Sequence, residues 1–332
     1  MRIMLLIMST ITLPAPGPGE LPEAIVQAAV RRAFEQLAAG RAVQPAQAVT
    51  DLPGGGDVIA YQAALADEQV YAVKVSPYLP QPDGPGLVTA WTLLLSTRTG
   101  EPVLLIDSKA LTTERTAATT ALAVDLLARP QARRLAVIGL GPVGRAHLRH
   151  ARAVRDFDRI RVWSPSATSE DVPELAAEIG IGRAGGPAVE LTLADSAQDA
   201  ICEADEVLLC TSAAAPVIDV TRLEPGVLVT SVSTNAPMAH EIDPAALPDL
   251  DVYADHAQAA FAAAGELRLA HQQSGFTIEA IRGDLAGLLA GTSPAPSGQR
   301  VVFFRSVGLG IEDAAVALAA LTHHRDHPKD PA

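Results

Sequence analysis

The sequence predicts an α/β fold in which a doubly wound parallel sheet is joined to an α+β domain. Three features predict it. The first third of the chain carries closely spaced β-like runs parted by short turns, a continuous apolar run then ends in Gly139-Leu140-Gly141-Pro142-Val143-Gly144, and from there strand and helix patterns alternate. With 332 residues, 48% of them hydrophobic, the chain is long and apolar enough for two domains.

The elements follow in order. Residues 1–10, MRIMLLIMST, resemble a short secretory signal. Their apolar run is brief, however, and no small-residue cleavage site follows, so they read as a buried strand or the lead-in to the first helix. After the Pro/Gly stretch LPAPGPGELP, residues 23–39 space Ile25, Ala28, Ala29, Ala33, Phe34 and Leu37 as the apolar stripe of a helix that stops at Gly40. The runs DVIAYQAAL, QVYAVKVSPY, LVTAWTLLLST and PVLLIDS are separated by turn-forming segments and predict an antiparallel sheet. The style changes near Thr112, where the helix TERTAATTALAVDLLA runs to Arg129-Pro130. RRLAVIGL then reads as a parallel-sheet strand, followed by the strands RIRVWS, EVLLCTS and GVLVTSVS and a last helix, IEDAAVALAALTHH.

Composition narrows the partners. With 38 acidic against 25 basic residues, a net charge of −13, the chain lacks the basic footprint of a nucleic-acid binder and would be repelled by an anionic bilayer. Cys202 and Cys210 support neither a disulfide framework nor a structural zinc site, which fits a reducing cytoplasm. The histidines assemble no metal site: His240-Glu241 lacks the following histidine of a zinc-protease helix, and HHRDH at 323–327 reads as a solvated helix end.

Gly139, Gly141 and Gly144 form G-x-G-x-x-G between an apolar strand and the helix RAHLRHARAV. In such a loop the first glycine allows the tight turn, the second lets the backbone approach a pyrophosphate, and the third lets helix and strand pack. This is a Rossmann-type dinucleotide signature, with Pro142 and Val143 in the same loop. The next strand ends at Ser164, with Ser166 and Thr168 nearby and no acid at its tip, which favours NADPH with NADH possible. Arg161 lies inside that strand and points either way. Thr211 and Ser212, at the tip of EVLLCTS, fall where a strand end faces the dinucleotide crevice.

The helix TERTAATTALAVDLLARP running directly into RRLAVIGLGPVG, with GPGLVTAWTLLLSTRTGEPVLLIDS before it and FFRSVGLGIEDAAVA near the end, resembles the ornithine cyclodeaminase/mu-crystallin family. Within that family it is most similar to the Δ1-pyrroline-2-carboxylate and Δ1-piperideine-2-carboxylate reductases. The resemblance implies NAD(P)H-dependent reduction of a cyclic imino acid to L-proline or L-pipecolate. It also implies a homodimer whose first sheet makes both the substrate pocket and the interface. The chain then divides into a substrate-binding and dimerisation domain, 1–112 with 313–332, and a dinucleotide-binding domain, 113–312.

Lys74 projects from one face of a strand, and Arg115 sits in the first turns of an alanine- and threonine-rich helix. A solvated edge lysine and a surface salt bridge are the plain readings. The resemblance instead puts Lys74 beside the substrate and Arg115 on its carboxylate, with Thr89 at a substrate-contacting position. It also gives Ser306, Val307 and Gly308 as a cofactor-facing turn, although a simple strand-to-helix loop explains these three as well. Pro45-Ala46-Gln47 departs from the family's Pro-x-Arg, replacing a second carboxylate-binding arginine, for which Arg41 is the nearest substitute. Asn235 stands where ornithine cyclodeaminases carry a basic aspartate, which favours reduction over ring-closing deamination. Glu266, in AGELRLA, reads either as an acid approaching the pocket or, the plainer role, as a solvated helix residue. The competing functions are an ornithine or lysine cyclodeaminase, an amino acid dehydrogenase, and a non-catalytic NADPH and small-molecule binder.

Overall fold

A computed structural model describes residues 11–13, 20–81, 84–182, 188–233 and 238–327. Residues 1–10, and with them the reading of MRIMLLIMST, lie outside. The strands are β1 (Ile11–Leu13), β2 (Ala42–Val43), β3 (Ala48–Asp51), β4 (Asp57–Leu65), β5 (Val70–Gln81), β6 (Gly84–Val88), β7 (Trp91–Ser96), β8 (Pro102–Asp107), β9 (Arg134–Ile138), β10 (Arg159–Trp163), β11 (Glu190–Leu193), β12 (Glu206–Leu209), β13 (Leu228–Ser231), β14 (Asp251–Ala254), β15 (Ile281–Asp284) and β16 (Val302–Arg305). The helices are α1 (Glu23–Ala38), α2 (Lys109–Leu127), α3 (Pro142–Val154), α4 (Asp171–Glu178), α5 (Ala197–Ala200), α6 (Ala257–Ala263), α7 (Gly265–Ser274), α8 (Leu285–Leu289) and α9 (Gly310–Asp326). The chain divides into two compact units, Met1–Arg115 with Leu309–Ala332, and Thr116–Gly308.

The first unit is built on a sheet ordered β1-β8-β7-β5-β4-β2, with β3 beside β4 and β6 beside β5. Its pairs are antiparallel except β1 with β8. Alternation along the strands buries one face: Ile59, Tyr61, Ala63 and Leu65 of β4, Ala72 and Lys74 of β5, Thr92 and Leu94 of β7, Leu104 and Ile106 of β8. Helix α9 packs on β4, β5 and β7, and α1 packs on α9. A Cβ on Gly310 would stand 2.3 Å from the Gln62 carbonyl oxygen, so glycine is what lets α9 start flush against β4.

Two expectations are corrected in this unit. LVTAWTLLLST is not one strand: β6 pairs with the far end of β5 (Tyr78 with Val88), and β7 pairs with the nearer part (Val75 with Trp91). In the step between them, the Thr89 N–H donates back to Pro77 while the Ala90 carbonyl accepts from Ser108 on the β8 side. Helix α1 ends at the expected place, with Gly40 at φ +69°, but it buries Val26, Val30, Ala33 and Phe34 and leaves Ala28 exposed. Ala33 and Phe34 belong to both sets; the buried face runs 26, 30, 33 and 34, an i, i+4, i+7, i+8 stripe that brings in Val26 and Val30 in place of Ile25 and Ala29.

The second unit is an eight-stranded parallel sheet ordered β11-β10-β9-β12-β13-β16-β14-β15. The fold class expected from the sequence is the one observed. The strand order reverses between β9 and β12, the switch point where open α/β sheets bind ligands at the carboxyl ends of their strands. Strands β11, β14, β15 and β16 escaped the sequence reading; each is four residues long, as are β12 and β13, which were legible within the longer runs EVLLCTS and GVLVTSVS. Among the described residues, no helix is long and apolar enough to cross a membrane.

Candidate active site

In the first unit the register places Tyr61, Lys74 and Thr92 in one row across β4, β5 and β7, all on the face covered by α9. Lys74 is only 1% exposed. Its Nζ lies 2.9 and 3.0 Å from the two Asp313 oxygens and 4.2 Å from the centre of the Tyr61 ring. Arg115 extends from α2 to the same aspartate: Nε donates to Asp313 Oδ1 at 3.0 Å and Nη1 to Glu312 Oε2 at 3.0 Å. Two cations and two carboxylates are thus buried together, with one aspartate shared between Lys74 and Arg115. Neither the edge lysine nor the surface salt bridge describes them.

Burial pushes the Lys74 ammonium down from 10.5 to about 8, with Arg115 acting in the same direction and Asp313 opposing it. For Arg115, burial works against the charge, but Asp313 and Glu312 outweigh it and hold the guanidinium above its ordinary value. Beside Lys74, the Thr92 hydroxyl donates to Ser108 Oγ at 2.8 Å. Thr89 is half-buried in the step between β6 and β7, and its described bond is the backbone one to Pro77. Arg41 pairs with Asp67 at the exposed surface, which occupies it away from the cluster. In the Pro45-Ala46-Gln47 segment it is the preceding Gln44 that is engaged, its Oε1 accepting the Ile311 N–H at 3.0 Å.

In the second unit the glycine loop has the geometry its three glycines were read to allow. Gly139 adopts φ +97°, and a Cβ there would meet the Cys210 carbonyl oxygen at 2.6 Å. A Cβ on Gly144 would lie 1.8 Å from the Gly139 carbonyl oxygen, so α3 leaves the strand at a spacing only glycine permits. At Gly141 a Cβ would meet nothing within 4 Å. The loop is therefore packed behind Gly139 and Gly144 and open in front of Gly141. Gly141 is the extended N-cap of α3 with no side-chain cap, and Pro142 occupies the first turn, so the helix begins with uncapped N–H groups. An open glycine before an uncapped thirteen-residue helix suits a pyrophosphate.

At the tip of β10, Ser164 is half-buried and Ser166 exposed. Arg161 is committed elsewhere, donating to the Asp199 carboxylate at 2.7 Å. Thr211 gives its N–H and hydroxyl to Glu241, and the neighbouring Ser212 is exposed. The turn Ser306-Val307-Gly308 is bound to Asp255 Oδ2 through the Ser306 hydroxyl and the Val307 and Gly308 N–H groups, at 3.0, 2.7 and 2.8 Å. Burial raises the Asp255 carboxyl, with these backbone bonds pulling it the other way. Asn235 lies outside the described residues.

The sequence pattern of the ornithine cyclodeaminase/mu-crystallin family matches residues 21–325. The chain belongs to this family. It is 51% identical over 292 residues to the NAD(P)H-dependent anabolic L-arginine dehydrogenase of Pseudomonas aeruginosa, covering 88% of this chain and 90% of that protein. A Δ1-pyrroline-2-carboxylate reductase of Colwellia psychrerythraea is 28% identical over 256 residues, 76% of this chain and 79% of the relative. The solved Δ1-pyrroline-2-carboxylate reductase of Thermococcus litoralis, in complex with NADH and L-proline, superposes with a TM-score of 0.85 at 25% identity, covering 96% of this chain and 98% of that one.

The structure brings Lys74 and Arg115 together through residues that sequence reasoning left unassigned, Glu312 and Asp313. They stand in the first turn of α9, where acids usually complement the helix dipole, so the pattern alone gave no reason to single them out. Glu266 is a correction: it is fully buried and paired with Arg305 at 2.8 Å, because α7 turns that face inward. Glu241 and Asp255, which hold the strand tips, carry no local sequence signature.

Proposed function

We propose that this chain is an NAD(P)H-dependent reductase of 2-imino acids that forms an L-amino acid. The first substrate class is the open-chain imine of a 2-oxo acid bearing a cationic guanidino side chain, as in arginine. The observation that carries the reading is the buried cluster in which Lys74 and Arg115 share Asp313. The 51% relative, an L-arginine dehydrogenase, supports this substrate class. Cyclic imines, Δ1-pyrroline-2-carboxylate or Δ1-piperideine-2-carboxylate, form the second reading, supported by the relatives at 28% and 25% identity. Asn235 argues against a cyclodeaminase, because an amide cannot take a proton from the substrate's distal amine near neutral pH.

Arg115 binds the substrate carboxylate. Glu312 and Asp313 fix its guanidinium plane beforehand, so less orientation is lost on binding. Lys74, with its pKa near 8, holds a transferable proton at working pH. Where ammonia adds to the 2-oxo carbon, Lys74 donates that proton to the carbinolamine oxygen, which leaves as water to give the imine, and Asp313 stays paired with Arg115. Gly139, Gly141, Pro142, Val143 and Gly144 hold the dinucleotide, with Thr211, Ser212 and the turn at 306–308 along the strand tips. Bound NAD(P)H supplies the hydride that reduces the imine carbon. Ser164 and Ser166, in place of an acid, favour NADPH. A homodimer completes the proposal. Val75, Tyr78, Leu87, Val88 and Trp91 of β5 to β7 are exposed apolar side chains for a second copy to cover, and Trp91→Glu is expected to yield a monomer by light scattering.

The test supplies NADPH and ammonium with 5-guanidino-2-oxopentanoate and, separately, each preformed cyclic imine, following NADPH consumption and the amino acid formed. Arginine formation is the expected result. Turnover of the cyclic imines alone moves the assignment to the second reading. Brisk release of ammonia and proline from L-ornithine with catalytic NAD⁺ overturns both.

A further inference from the structure

Glu241 is fully buried in the second unit, and its two carboxylate oxygens serve two different strand tips. Oε1 accepts the Thr211 N–H and the Thr211 hydroxyl, each at 2.7 Å, just beyond β12. Oε2 accepts the Ser231 hydroxyl at 2.7 Å, at the end of β13, and the Ser233 N–H at 3.0 Å. Its own carbonyl accepts the Val217 N–H at 2.9 Å, which ties the Glu241 backbone to the loop after β12. Strands β12 and β13 are hydrogen-bonded neighbours, and β12 is also paired with β9, which leads into the glycine loop. The Thr211 tip borders that loop directly, since a Cβ on Gly139 would come within 3.3 Å of Thr211 Cγ2. Ser233 has φ +45°, a left-handed conformation that a serine keeps only when its surroundings hold it.

In a doubly wound sheet, one half of a dinucleotide lies over the strands before the switch point and the other half over those beyond it. The adenosine ribose belongs to the tip of the second strand, here β10, so the nicotinamide half falls to β12 and β13. We propose that Glu241 is a positioning residue for the nicotinamide half of the cofactor, fixing the tips at Thr211 and Ser231–Ser233 against each other; this rests on the NAD(P)H reading above. A carboxylate is required because each oxygen must accept a backbone N–H. Glutamine has only one acceptor oxygen. In either orientation its amide NH₂ faces a backbone N–H, of Thr211 or of Ser233, and that contact is repulsive.

The experiment measures binding of NADPH and of 2′-phospho-ADP-ribose, which is NADPH without its nicotinamide, to wild-type protein and to Glu241→Gln by calorimetry. Thermal melting is followed in parallel. The variant is expected to bind NADPH roughly tenfold more weakly and to bind the fragment like the wild type, as loss of one charge-assisted contact predicts. Ser231→Ala keeps Glu241, Thr211 and both backbone bonds, and it is expected to lose about threefold for NADPH alone. This variant carries the test if Glu241→Gln does not fold. Unchanged NADPH binding, or equal losses for NADPH and the fragment, overturns the positioning role. Failure of the wild type to bind either ligand overturns the NAD(P)H reading itself.

Discussion

The two units carry their chemistry in opposite ways. In the second unit the glycine loop is backbone, three glycines within six consecutive positions, where a Cβ on Gly139 or Gly144 would strike backbone and one on Gly141 would enter open space. In the first unit the chemistry is all side chain, and the partners are far apart in the sequence: Lys74 and Asp313 are separated by 239 positions. The glycine loop is sensitive to added volume where its glycines meet backbone. A buried charge cluster is sensitive to charge balance, because an ion left alone in a low-dielectric interior is costly.

The sharpest break in this contrast comes from two glycines three residues apart. Gly144→Ala puts a methyl 1.8 Å from the Gly139 carbonyl, and we expect it to destabilise the second unit by about 3 kcal/mol or more, seen as a large fall in melting temperature. Gly141→Val enters open space and should melt like the wild type while losing most of its NADPH affinity in titration. Wild-type NADPH binding by Gly141→Val would show that the loop does not cradle a dinucleotide.

In the first unit, Lys74→Met leaves Glu312 and Asp313 facing a single cation and should cost roughly 3–5 kcal/mol in chemical denaturation. Arg115→Lys keeps the charge but loses the fork that reaches both acids at once. The apparent KM for the imino acid should rise by roughly tenfold, with NADPH binding unmoved. A parallel loss of NADPH affinity would place Arg115 at the dinucleotide instead.

The lysine also predicts how stability depends on pH. Its folded pKa of about 8 lies below the ordinary 10.5, so between those values the unfolded chain holds a proton that the folded one has released. Stability should therefore rise as pH is raised through that window, by on the order of 3 kcal/mol, and the gain is lost as pH falls to about 8. Denaturation curves of the wild type and Lys74→Met across the window check it, since the variant should lack that rise.

The smallest effect concerns cofactor choice. Ser164→Asp at the β10 tip should shift preference from NADPH toward NADH by about tenfold, as a carboxylate there receives ribose hydroxyls and repels a 2′-phosphate. Arg161→Ala serves as the control and should leave both affinities unchanged, because that guanidinium is already held by Asp199. A selective loss of NADPH affinity in Arg161→Ala would show that the arginine reaches the 2′-phosphate after all.

What could be read in advance follows the same division. The glycine loop, the flanking strand and helix, and the order of the longer elements were legible because turn chemistry and hydrophobic period are local properties. The four-residue strands β11, β14, β15 and β16 were not, although β12 and β13 of the same length were, because runs that short become strands only between neighbours already in place. Lys74 and Arg115 were marked by resemblance, yet their residue types and spacing left a surface role equally open. Glu266 was misread for the same reason, since one charged residue on a helix does not reveal which way the helix faces.

By itself, then, the sequence determined the fold class, the position of the glycine loop between strand and helix and the acidic net charge, all consequences of composition or of residues within a few positions of one another. Only the tertiary structure decided which charges are buried and with whom. Glu312 and Asp313 meet Lys74 and Arg115 because α9 lies across β4, β5 and β7, and Gly310 lets it lie close. Burial and pairing energies depend on distance in space and on exclusion of water, and neither is written in the spacing of residues along the chain.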